Sequence, residues 1–568
     1  MRSHLGARMA RHVLVLALCV LALTTFPSSG LTQDAHPSSE AAESTACKLA
    51  EQLYSEGKFQ QAAEKYTAAL KVKSDFEPAQ AGLARALKAS GNTDEALKTI
   101  TAAVNARPNS ALLLHTLGDI QFRRGDMGEA EQAYRTALQI DPKDVGAYVG
   151  LAHLYRAFSL YGHAYAATKR AHELDPKDPE VQLLWLDTLP RAERLPAIKS
   201  YLAGPHAGTP SQRAELGEYV QYLEKTKDMP ASCTPVIARE RADIKLETVH
   251  ELGPVDAPHI FGYGLEVKLN DHTQLLQLDT GASGILISRK TAQHARLQRI
   301  SDISLGGIGD KGEKSGYLAI ADRVKIGDLE FRNCLVTVSD KGIAEESDGL
   351  VGSDIFASYL VDIDIPQKLI RLAPLPQRPG DPQPVLTLDS DSGVENTPGY
   401  EALNGTGPAK PPQDRYVAPE MSGWTPFFRF GHMVLVPTRL NNSPPLLFLV
   451  DTGAFRNTIS TKAARATAKV QVNTRLEVEG VSGKVEDVYR TENVTLGFGR
   501  FQQPNMNAVT IDLSHISDDV GTEISGMLGF DLLRILEIKI DYRDGLVDFL
   551  YRDRHGVTHS DGAGTVSR

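Results

Sequence analysis

The sequence predicts a multidomain protein in which an N-terminal all-α repeat solenoid precedes an all-β, two-lobed region. Three observations support this fold class: a 34-residue repeat in the first third, two β-rich segments with one shared order of landmarks, and a proline-rich stretch between them. At 568 residues the chain exceeds what one hydrophobic core usually organises. Its formal net charge of −10, without a long run of Lys or Arg, argues against nucleic-acid binding.

Residues 1–30 have the residue order of a secretory signal peptide. Arg2, Arg8 and Arg11 precede the apolar run 13–23, and small residues follow that run. A membrane-spanning helix needs about 20 apolar residues, and this run is shorter. We therefore expect an exported protein, periplasmic or secreted, with an uncleaved membrane anchor as the weaker alternative.

Residues 47–178 contain four units with a period of 34 residues. Each unit has a turn position, two alanine positions and, from the second unit on, a closing proline. These positions are Gly57, Gly91, Gly125 and Ser159; Ala62, Ala96, Ala130 and Ala164; Ala69, Ala103, Ala137 and Ala171; and Pro108, Pro142 and Pro176. Glycine permits a tight turn between two helices, alanine lets them approach closely, and proline ends the second helix. The pattern resembles the tetratricopeptide repeat, which implies a solenoid of helix pairs.

Arrays of this kind expose a concave surface that binds extended peptides or other proteins. The resemblance therefore implies a protein partner or substrate on the concave face of the array, while a spacer or dimerisation role is the alternative. Residues 179–230 keep a helical pattern but lose the period. We predict that they form a helical cap, which covers the last repeat.

The segments 245–374 and 425–553 are predicted to be two copies of one β-rich lobe, lobe 1 and lobe 2. Each copy has an apolar strand leading into Asp-Thr-Gly, a glycine-rich tip, a strand with a Gly turn, a hydrophobic-Gly element and a final strand pair. Ten prolines lie between positions 374 and 419, so residues 375–424 are predicted to be a linker. Residues 554–568 are predicted to be a disordered tail.

The two lobes resemble the halves of a retropepsin- or pepsin-like aspartic protease. The resemblance implies that Asp279 and Asp451 form one catalytic pair. The motif residues that support this pair in the family are matched by Thr280, Gly281, Thr452 and Gly453. In the family the two threonines hydrogen-bond across the pair. Ala282 and Ala454 follow the motifs, as is common in the retropepsin-like branch.

In this family two hairpins, the flaps, close over the substrate and exclude water. The glycine-rich tips place them at Gly307 and Gly309 in lobe 1 and at Gly480 and Gly483 in lobe 2. Two carboxyl groups about 3 Å apart cannot both ionise, so they share a proton and act as acid and base on one water molecule. Aspartic proteases are the established case of this arrangement, which the resemblance extends to the present sequence.

No cofactor and no metal site is expected, since the cysteines of the mature chain lack metal-ligand spacing. Cys47 and Cys233 could pair in an oxidising compartment, or these two and Cys334 could all be structural thiols. The acids of the final strand pairs are expected to face solvent at alternating positions. They are Asp362, Asp364 and Asp541.

The sequence thus predicts an exported aspartic endopeptidase whose repeat array recruits a peptide or protein substrate, or a protein partner. No nucleic-acid partner is expected, and membrane contact is expected only if the N-terminal segment is an uncleaved anchor. The alternative, from a different class, is a catalytically silent peptide-binding scaffold that uses the repeats and the protease-like lobes as clamps.

Overall fold

The computed structural model describes most of the chain beyond the predicted signal segment. The described residues are 39–204, 210–227, 233–237, 239–252, 259–308, 314–340, 348–380, 412–472, 478–480, 483–552 and 558–559. Residues 1–30, Gly309, residues 381–411 of the linker and all but two residues of the tail 554–568 lie outside them. None of the helices in the described ranges combines the length and the apolar character that crossing a bilayer requires.

The first third of the described chain consists of helix pairs that form the repeat array. The helices are α1 (Ser39–Ser55), α2 (Phe59–Val72), α3 (Glu77–Ala89), α4 (Thr93–Ala106), α5 (Ala111–Arg124), α6 (Met127–Ile140), α7 (Val145–Ala157) and α8 (Tyr161–Leu174). The turn within each pair has a positive φ, which is 75° to 82° at the three glycines and 56° at Ser159. Ser159 therefore adopts the left-handed conformation that the period demands, without the freedom of glycine.

The periodic alanines lie between the paired helices, where each is at most 4% exposed. Glycines in the first helices of the pairs make room for larger side chains. A β-carbon on Gly118 or Gly150 would lie 2.6 or 2.2 Å from the ring of Tyr134. Close approach of small residues to buried rings therefore stacks each pair on the next.

The helical cap consists of α9 (Pro179–Leu186), α10 (Arg191–Leu202) and α11 (Pro210–Thr226). Its apolar side chains pack against lobe 1 in one cluster. The buried members are Leu186, Ile198, Tyr201, Tyr222 and Leu223 of the cap with Ile300, Leu318, Ile320 and Leu335 of lobe 1. In addition, Lys225 Nζ donates to the carbonyl oxygen of Ile300 at 2.5 Å. The cap therefore joins the array to lobe 1.

Lobe 1 and the strands that precede it are built from twelve described strands and one α-helix. They are β1 (Thr234–Ile237), β2 (Ala242–Lys245), β3 (Glu247–Leu252), β4 (His259–Leu269), β5 (His272–Leu278), β6 (Ile285–Ser288), α12 (Arg289–His294), β7 (Gln298–Leu305), β8 (Lys314–Ile326), β9 (Leu329–Ser339), β10 (Gly349–Val351), β11 (Tyr359–Asp364) and β12 (Leu369–Pro374). The order β4-β5-β10-β6-β9-β8 closes on itself through the β4–β8 pairing.

Lobe 2 follows the same plan in the described residues. Its elements are β13 (Thr425–Pro426), β14 (Phe428–Phe430), β15 (Met433–Leu440), β16 (Leu446–Asp451), β17 (Thr458–Ser460), α13 (Thr461–Thr467), β18 (Val470–Val472), β19 (Glu479–Gly480), β20 (Gly483–Lys484), β21 (Tyr489–Phe498), β22 (Phe501–Ile511), α14 (Ser514–Val520), β23 (Gly526–Gly529), α15 (Phe530–Leu533), β24 (Leu536–Asp541), β25 (Leu546–Arg552) and β26 (Thr558–His559). The order β15-β16-β23-β17-β22-β21 closes through β15–β21. The two lobes thus repeat one barrel, which confirms the predicted fold class.

The lobes share a sheet in which β2, β12 and β11 of the first half continue into β24, β25 and β13 of the second. The strands β11 and β24 pair antiparallel at the boundary between the lobes. The core is continuous across this boundary, because one cluster of buried apolar side chains contains residues of both lobes. Two equivalent halves are therefore held together as one body within a single chain.

The repeat array contacts lobe 2 through the turns that join the two helices within its third and fourth pairs. Phe122, before the third turn, lies with its ring 6.0 Å from that of Phe430, and Phe158, before the fourth, lies 5.0 Å from Phe428. The N–H of Glu523 donates to the carbonyl of Arg123 at 2.8 Å. The array is thus fixed to lobe 2 by its turns and to lobe 1 by its cap.

The described ends of the predicted linker are packed against the array and lobe 2. Asp414 accepts a hydrogen bond from the backbone N–H of His163 at 3.0 Å. Arg415 Nε donates to the carbonyl of Asp544 at 2.7 Å, and the N–H of Tyr416 donates to the Asp544 carboxylate at 2.8 Å. These contacts bring the repeat array, the linker end and the β24–β25 turn together.

Both expectations for the cysteines are wrong, because Cys233 is bonded to Cys334 in a disulfide. Sequence spacing does not reveal that β1 pairs with β9 and brings these two side chains together. The expectation that the acids of the final strands face solvent is also wrong.

Asp364 and Asp541 are both 0% exposed. Arg371 Nη2 donates to Asp364 at 2.9 Å. Asp362 is half-buried, and burial raises its pKa to about 6. Burial likewise raises the pKa of Asp541 to about 7. These acids are therefore part of the join between the lobes.

Candidate active site

The two Asp-Thr-Gly motifs meet at the boundary between the lobes. Asp279 directly follows β5 and Asp451 ends β16. The apolar residues of both strands fill the barrels, so each chain leaves its barrel at the aspartate. Each carboxyl group lies against the glycine of the opposite motif, and the two carboxyl groups interact with each other. Two acids that are 172 positions apart in sequence thus form one pair within one chain.

Thr280 and Thr452 connect the lobes beneath this pair by reciprocal hydrogen bonds. The N–H of each threonine donates to the hydroxyl of the other at 3.0 Å. The Thr280 hydroxyl donates to the carbonyl of Val450 at 2.7 Å, and the Thr452 hydroxyl donates to that of Leu278 at 2.8 Å. Both threonines are almost completely buried. These four bonds fix the two aspartates relative to each other.

Gly281 and Gly453 leave space for the carboxyl group of the opposite lobe. A β-carbon on Gly281 would lie 2.9 Å from Cγ of Asp451, and one on Gly453 would lie 2.3 Å from Cγ of Asp279. The N–H of Gly281 donates to Asp279 at 2.8 Å, and the N–H of Gly453 donates to Asp451 at 2.9 Å. Each glycine thus binds its own aspartate and gives room to the other.

The acid pair holds protons more tightly than free carboxyl groups do. Burial, followed by the charge of Asp451, raises the pKa of Asp279 well above its usual range. Burial also raises the pKa of Asp451, but the N–H group of Ala454, the hydrogen bond from Asp279 and the N–H group of Gly453 oppose it. Two N–H groups donate to the Asp451 carboxyl and one donates to that of Asp279, so the ionised form is better stabilised at Asp451.

The flap glycines are placed to different extents. Gly307 follows β7 in the β7–β8 hairpin, whereas Gly309 lies outside the described residues. In lobe 2, Gly480 and Gly483 pair directly across the short β19–β20 hairpin. Ile308 packs against the same apolar cluster of lobe 2 as Ala454, the residue after the second motif. The lobe 1 hairpin therefore reaches across to lobe 2 beside the acid pair.

Further residues that support the site were not predicted from the sequence. Asp354 accepts a hydrogen bond from the N–H of Gly284 at 3.0 Å, and Asn457 accepts one from the N–H of Gly529 at 2.9 Å. Each ties the loop after an Asp-Thr-Gly motif to the hydrophobic-Gly element of its own lobe. His432 Nε2 lies 3.0 Å from the carbonyl oxygen of Gly281. The sequence did contain a signal for the Asp354 and Asn457 contacts, because the loops and the hydrophobic-Gly elements occupy matched positions in the two copies.

Comparison with known protein families agrees with this geometry. A model of the aspartyl protease family matches residues 265–355 and 436–532, one segment in each lobe. The C-terminal region is aspartyl-protease-like. A tetratricopeptide repeat model matches residues 53–118 and 121–185. Both resemblances predicted from the sequence are thus confirmed.

The relatives resemble only part of this chain. Anaphase-promoting complex subunit 7 of Arabidopsis thaliana is 34% identical over 110 residues, which are 19% of this chain and 20% of that protein. Cellulose synthase operon protein C of Pseudomonas fluorescens is 28% identical over 178 residues, 30% of this chain and 13% of that protein. The chain thus spans one fifth or less of the length of these curated relatives.

Among solved structures, a thermophilic tetratricopeptide repeat protein of Thermus thermophilus is similar to part of the chain. Its sequence identity is 22%, the match covers 28% of this chain and 88% of that chain, and the TM-score is 0.24.

No group of three or more His, Cys, Asp or Glu side chains within the described ranges is arranged to hold a metal ion.

Proposed function

We propose that the protein is an aspartic endopeptidase in which Asp279 and Asp451 activate one water molecule for peptide-bond hydrolysis. The observation that carries this proposal is the meeting of two carboxyl groups from opposite lobes, with Asp451 buried and Asp279 partly buried, each beside the glycine of the other motif. A buried pair of like charges is unfavourable, so retaining one proton between the two acids is the stable state. That state supplies an acid and a base at the same place.

In this mechanism Asp451 acts as the base and Asp279 as the acid. Asp451 accepts hydrogen bonds from the N–H groups of Gly453 and Ala454, both at 2.9 Å, which favour its ionised form. It takes a proton from the attacking water as the water oxygen bonds to the peptide carbon. Asp279 gives its proton to the carbonyl oxygen, which produces a gem-diol. As the C–N bond breaks, Asp451 gives the proton that it took from water to the leaving nitrogen, and Asp279 takes back a proton from a hydroxyl of the diol.

The repeat array is proposed to hold the substrate, or a partner that presents it, close to this pair. Such arrays bind extended peptides on their concave face. The attachments of the array to both lobes support this role, because a substrate bound to a fixed arm stays near the cleft. A held substrate raises the effective concentration of the scissile bond without new contacts at the acids.

We further propose that the protein is exported to the periplasm or the exterior of the cell. The order of charged, apolar and small residues in positions 1–30 supports a signal peptide. The disulfide between Cys233 and Cys334 supports the same conclusion, since disulfides persist in oxidising compartments.

The test is cleavage of a proteome-derived peptide library from pH 3 to pH 7 by the purified protein. Asp279→Asn and Asp451→Asn are each expected to abolish cleavage while the far-UV circular dichroism spectrum is unchanged. Asp271→Asn is the matched control, because Asp271 is an exposed acid in the turn before β5. Full activity in either dyad variant would contradict the single-pair mechanism.

Failure of the folded wild-type protein to cleave any library member would favour the scaffold alternative. A substrate recognised only through the repeat array would escape such a library. Proteins that co-purify with the Asp279→Asn variant should therefore be incubated with the wild-type protein and examined for cleavage. If none of them is cleaved, the peptidase proposal fails.

A further inference from the structure

His432 belongs to lobe 2, but its ring contacts lobe 1 beside the acid pair. It lies between β14 and β15, and its Nε2 is 3.0 Å from the carbonyl oxygen of Gly281. A carbonyl oxygen only accepts hydrogen bonds, so Nε2 carries the proton and donates it. The bond therefore runs from lobe 2 to the residue two positions after Asp279.

The Gly281 carbonyl and the Ala282 N–H are the two ends of one peptide group. The N–H of Gly281 donates to the Asp279 carboxyl at 2.8 Å, and the N–H of Ala282 donates to the main-chain carbonyl of Asp279 at 3.1 Å. Both N–H groups favour the ionised form of the Asp279 carboxyl. A donor to the carbonyl end of a peptide group polarises the N–H at the other end and strengthens the bond that this N–H makes. The imidazole thus acts on Asp279 without touching it.

The charges around the ring come from both lobes. Asp354 of lobe 1 and Asp451 of lobe 2 favour the imidazolium form, whereas Arg429 of lobe 2 disfavours it. Burial is the largest effect and lowers the pKa of His432. The ring is therefore the neutral donor that the Gly281 contact requires, and protonation would add a second buried cation near Arg429.

We infer that His432 is a positioning residue for the Asp279 half of the acid pair: its Nε2–H holds the Gly281–Ala282 peptide group, whose N–H closes the turn that begins at Asp279. In lobe 2 the corresponding N–H, that of Ala454, donates to the Asp451 carboxylate at 2.9 Å. In lobe 1 the Gly281 carbonyl is held from across the boundary. The kinetic consequence of this inference rests on the proposed peptidase activity, but its electrostatic consequence does not.

The kinetic test compares His432→Leu, which removes the donor, with His432→Gln, which keeps an uncharged N–H donor. His272→Gln is the control, since His272 is exposed at the first position of β5. His432→Leu is expected to lower kcat about tenfold with little change in KM, the equivalent of one hydrogen bond that acts at the reacting group. His432→Gln is expected to recover most of this loss.

The electrostatic test needs no substrate. Asp279 has a raised pKa in the folded protein, so it contributes stability at low pH that is lost as the pH rises through its folded pKa. Without the donor at Gly281 that pKa rises further, and in His432→Leu the loss of stability shifts to higher pH. Urea unfolding from pH 3 to pH 8 measures this shift, with Asp279→Asn as the variant in which it is absent.

Titration of His432 itself is removed equally by both substitutions, so the difference between the Leu and Gln variants reports the hydrogen bond alone. A shift that is present in Leu and absent in Gln supports the inference even if the wild-type protein cleaves nothing, in which case only the proposed function fails. Identical kcat, KM and stability profiles of the Leu and Gln variants would overturn it.

Discussion

The reciprocal threonine bonds beneath the acid pair predict a local loss of stability when one hydroxyl is removed. Thr280→Val replaces the hydroxyl by a methyl group of similar size. The Thr452 N–H then loses its acceptor at 3.0 Å, and the Val450 carbonyl loses its donor at 2.7 Å. Because Thr280 is 1% exposed, water cannot easily replace either partner.

The magnitude follows from these two losses. A buried N–H without an acceptor costs about 1–3 kcal/mol, and a lost hydroxyl–carbonyl bond costs about 0.5–1.5 kcal/mol. Together they predict a loss of about 1.5–4.5 kcal/mol, which leaves a typical domain folded. At 1.36 kcal/mol per factor of ten, the amide of Thr452 should exchange its hydrogen roughly 10- to 2,000-fold faster.

Hydrogen exchange followed by mass spectrometry on the peptide that contains β16 measures this effect. Thr280→Ser is the matched control, because it keeps the hydroxyl and loses only a methyl group. Thr452→Val should have the mirror-image effect on the amide of Thr280, whose acceptor is the Thr452 hydroxyl. Wild-type exchange in Thr280→Val, or equal acceleration in the Ser and Val variants, would refute the reasoning.

Two further predictions concern the glycine beside the dyad and the disulfide. Gly453→Ala should lower kcat/KM by about 100-fold or more, because the new β-carbon would lie 2.3 Å from Cγ of Asp279. Gly128→Ala is the control, since its β-carbon meets nothing within 4 Å. Equal activity of the two variants would contradict this account. Replacing Cys233 and Cys334 together by Ser should lower the free energy of unfolding by up to about 4–5 kcal/mol, because their disulfide closes a loop with a sequence separation of 101. An unchanged melting temperature in calorimetry would contradict this prediction.

The parts of the fold that depend on local pattern could be predicted from the sequence. The 34-residue period predicted the helix pairs, because each turn needs a positive φ and each helix contact needs a small side chain. The order of landmarks around Asp279 and Asp451 predicted two equivalent lobes. An apolar strand that ends in an acid predicts burial of that acid, so the pairing of the two carboxyl groups followed from the duplication.

Contacts between distant parts of the chain could not be predicted in this way. His432 lies in a short turn, where the local sequence pattern gives no indication of a role for a histidine. Its hydrogen-bond partner, Gly281, is 151 positions away. Cys334 became the partner of Cys233 only through the β1–β9 pairing. The exposure expected for Asp364 was wrong, because the alternation along its strand does not show that Arg371 of the neighbouring strand covers the Asp364 carboxyl group.

Two aromatic residues of the repeat array mark its contact with lobe 2, although the sequence alone does not explain them. The aromatic residues Phe122 and Phe158 precede turns of the repeat, where helical periodicity alone would leave them on the surface. Both instead pack against Phe430 and Phe428 of lobe 2. An apolar side chain beside a repeat turn therefore indicated a contact outside the array.

The shared sheet also distinguishes this molecule from a symmetric dimer of single lobes. Asp362 and Lys539 each lie ten positions after the glycine of the hydrophobic-Gly element of their own half, and they face each other across β11 and β24. In a homodimer the same residue would stand at both places, and like charges directly opposite in a sheet repel. Here the Lys539 charge lowers the pKa of Asp362 against the effect of burial. Fusion into one chain has thus let the two halves diverge into partners that complement each other at the symmetry axis, where neither would match a copy of itself.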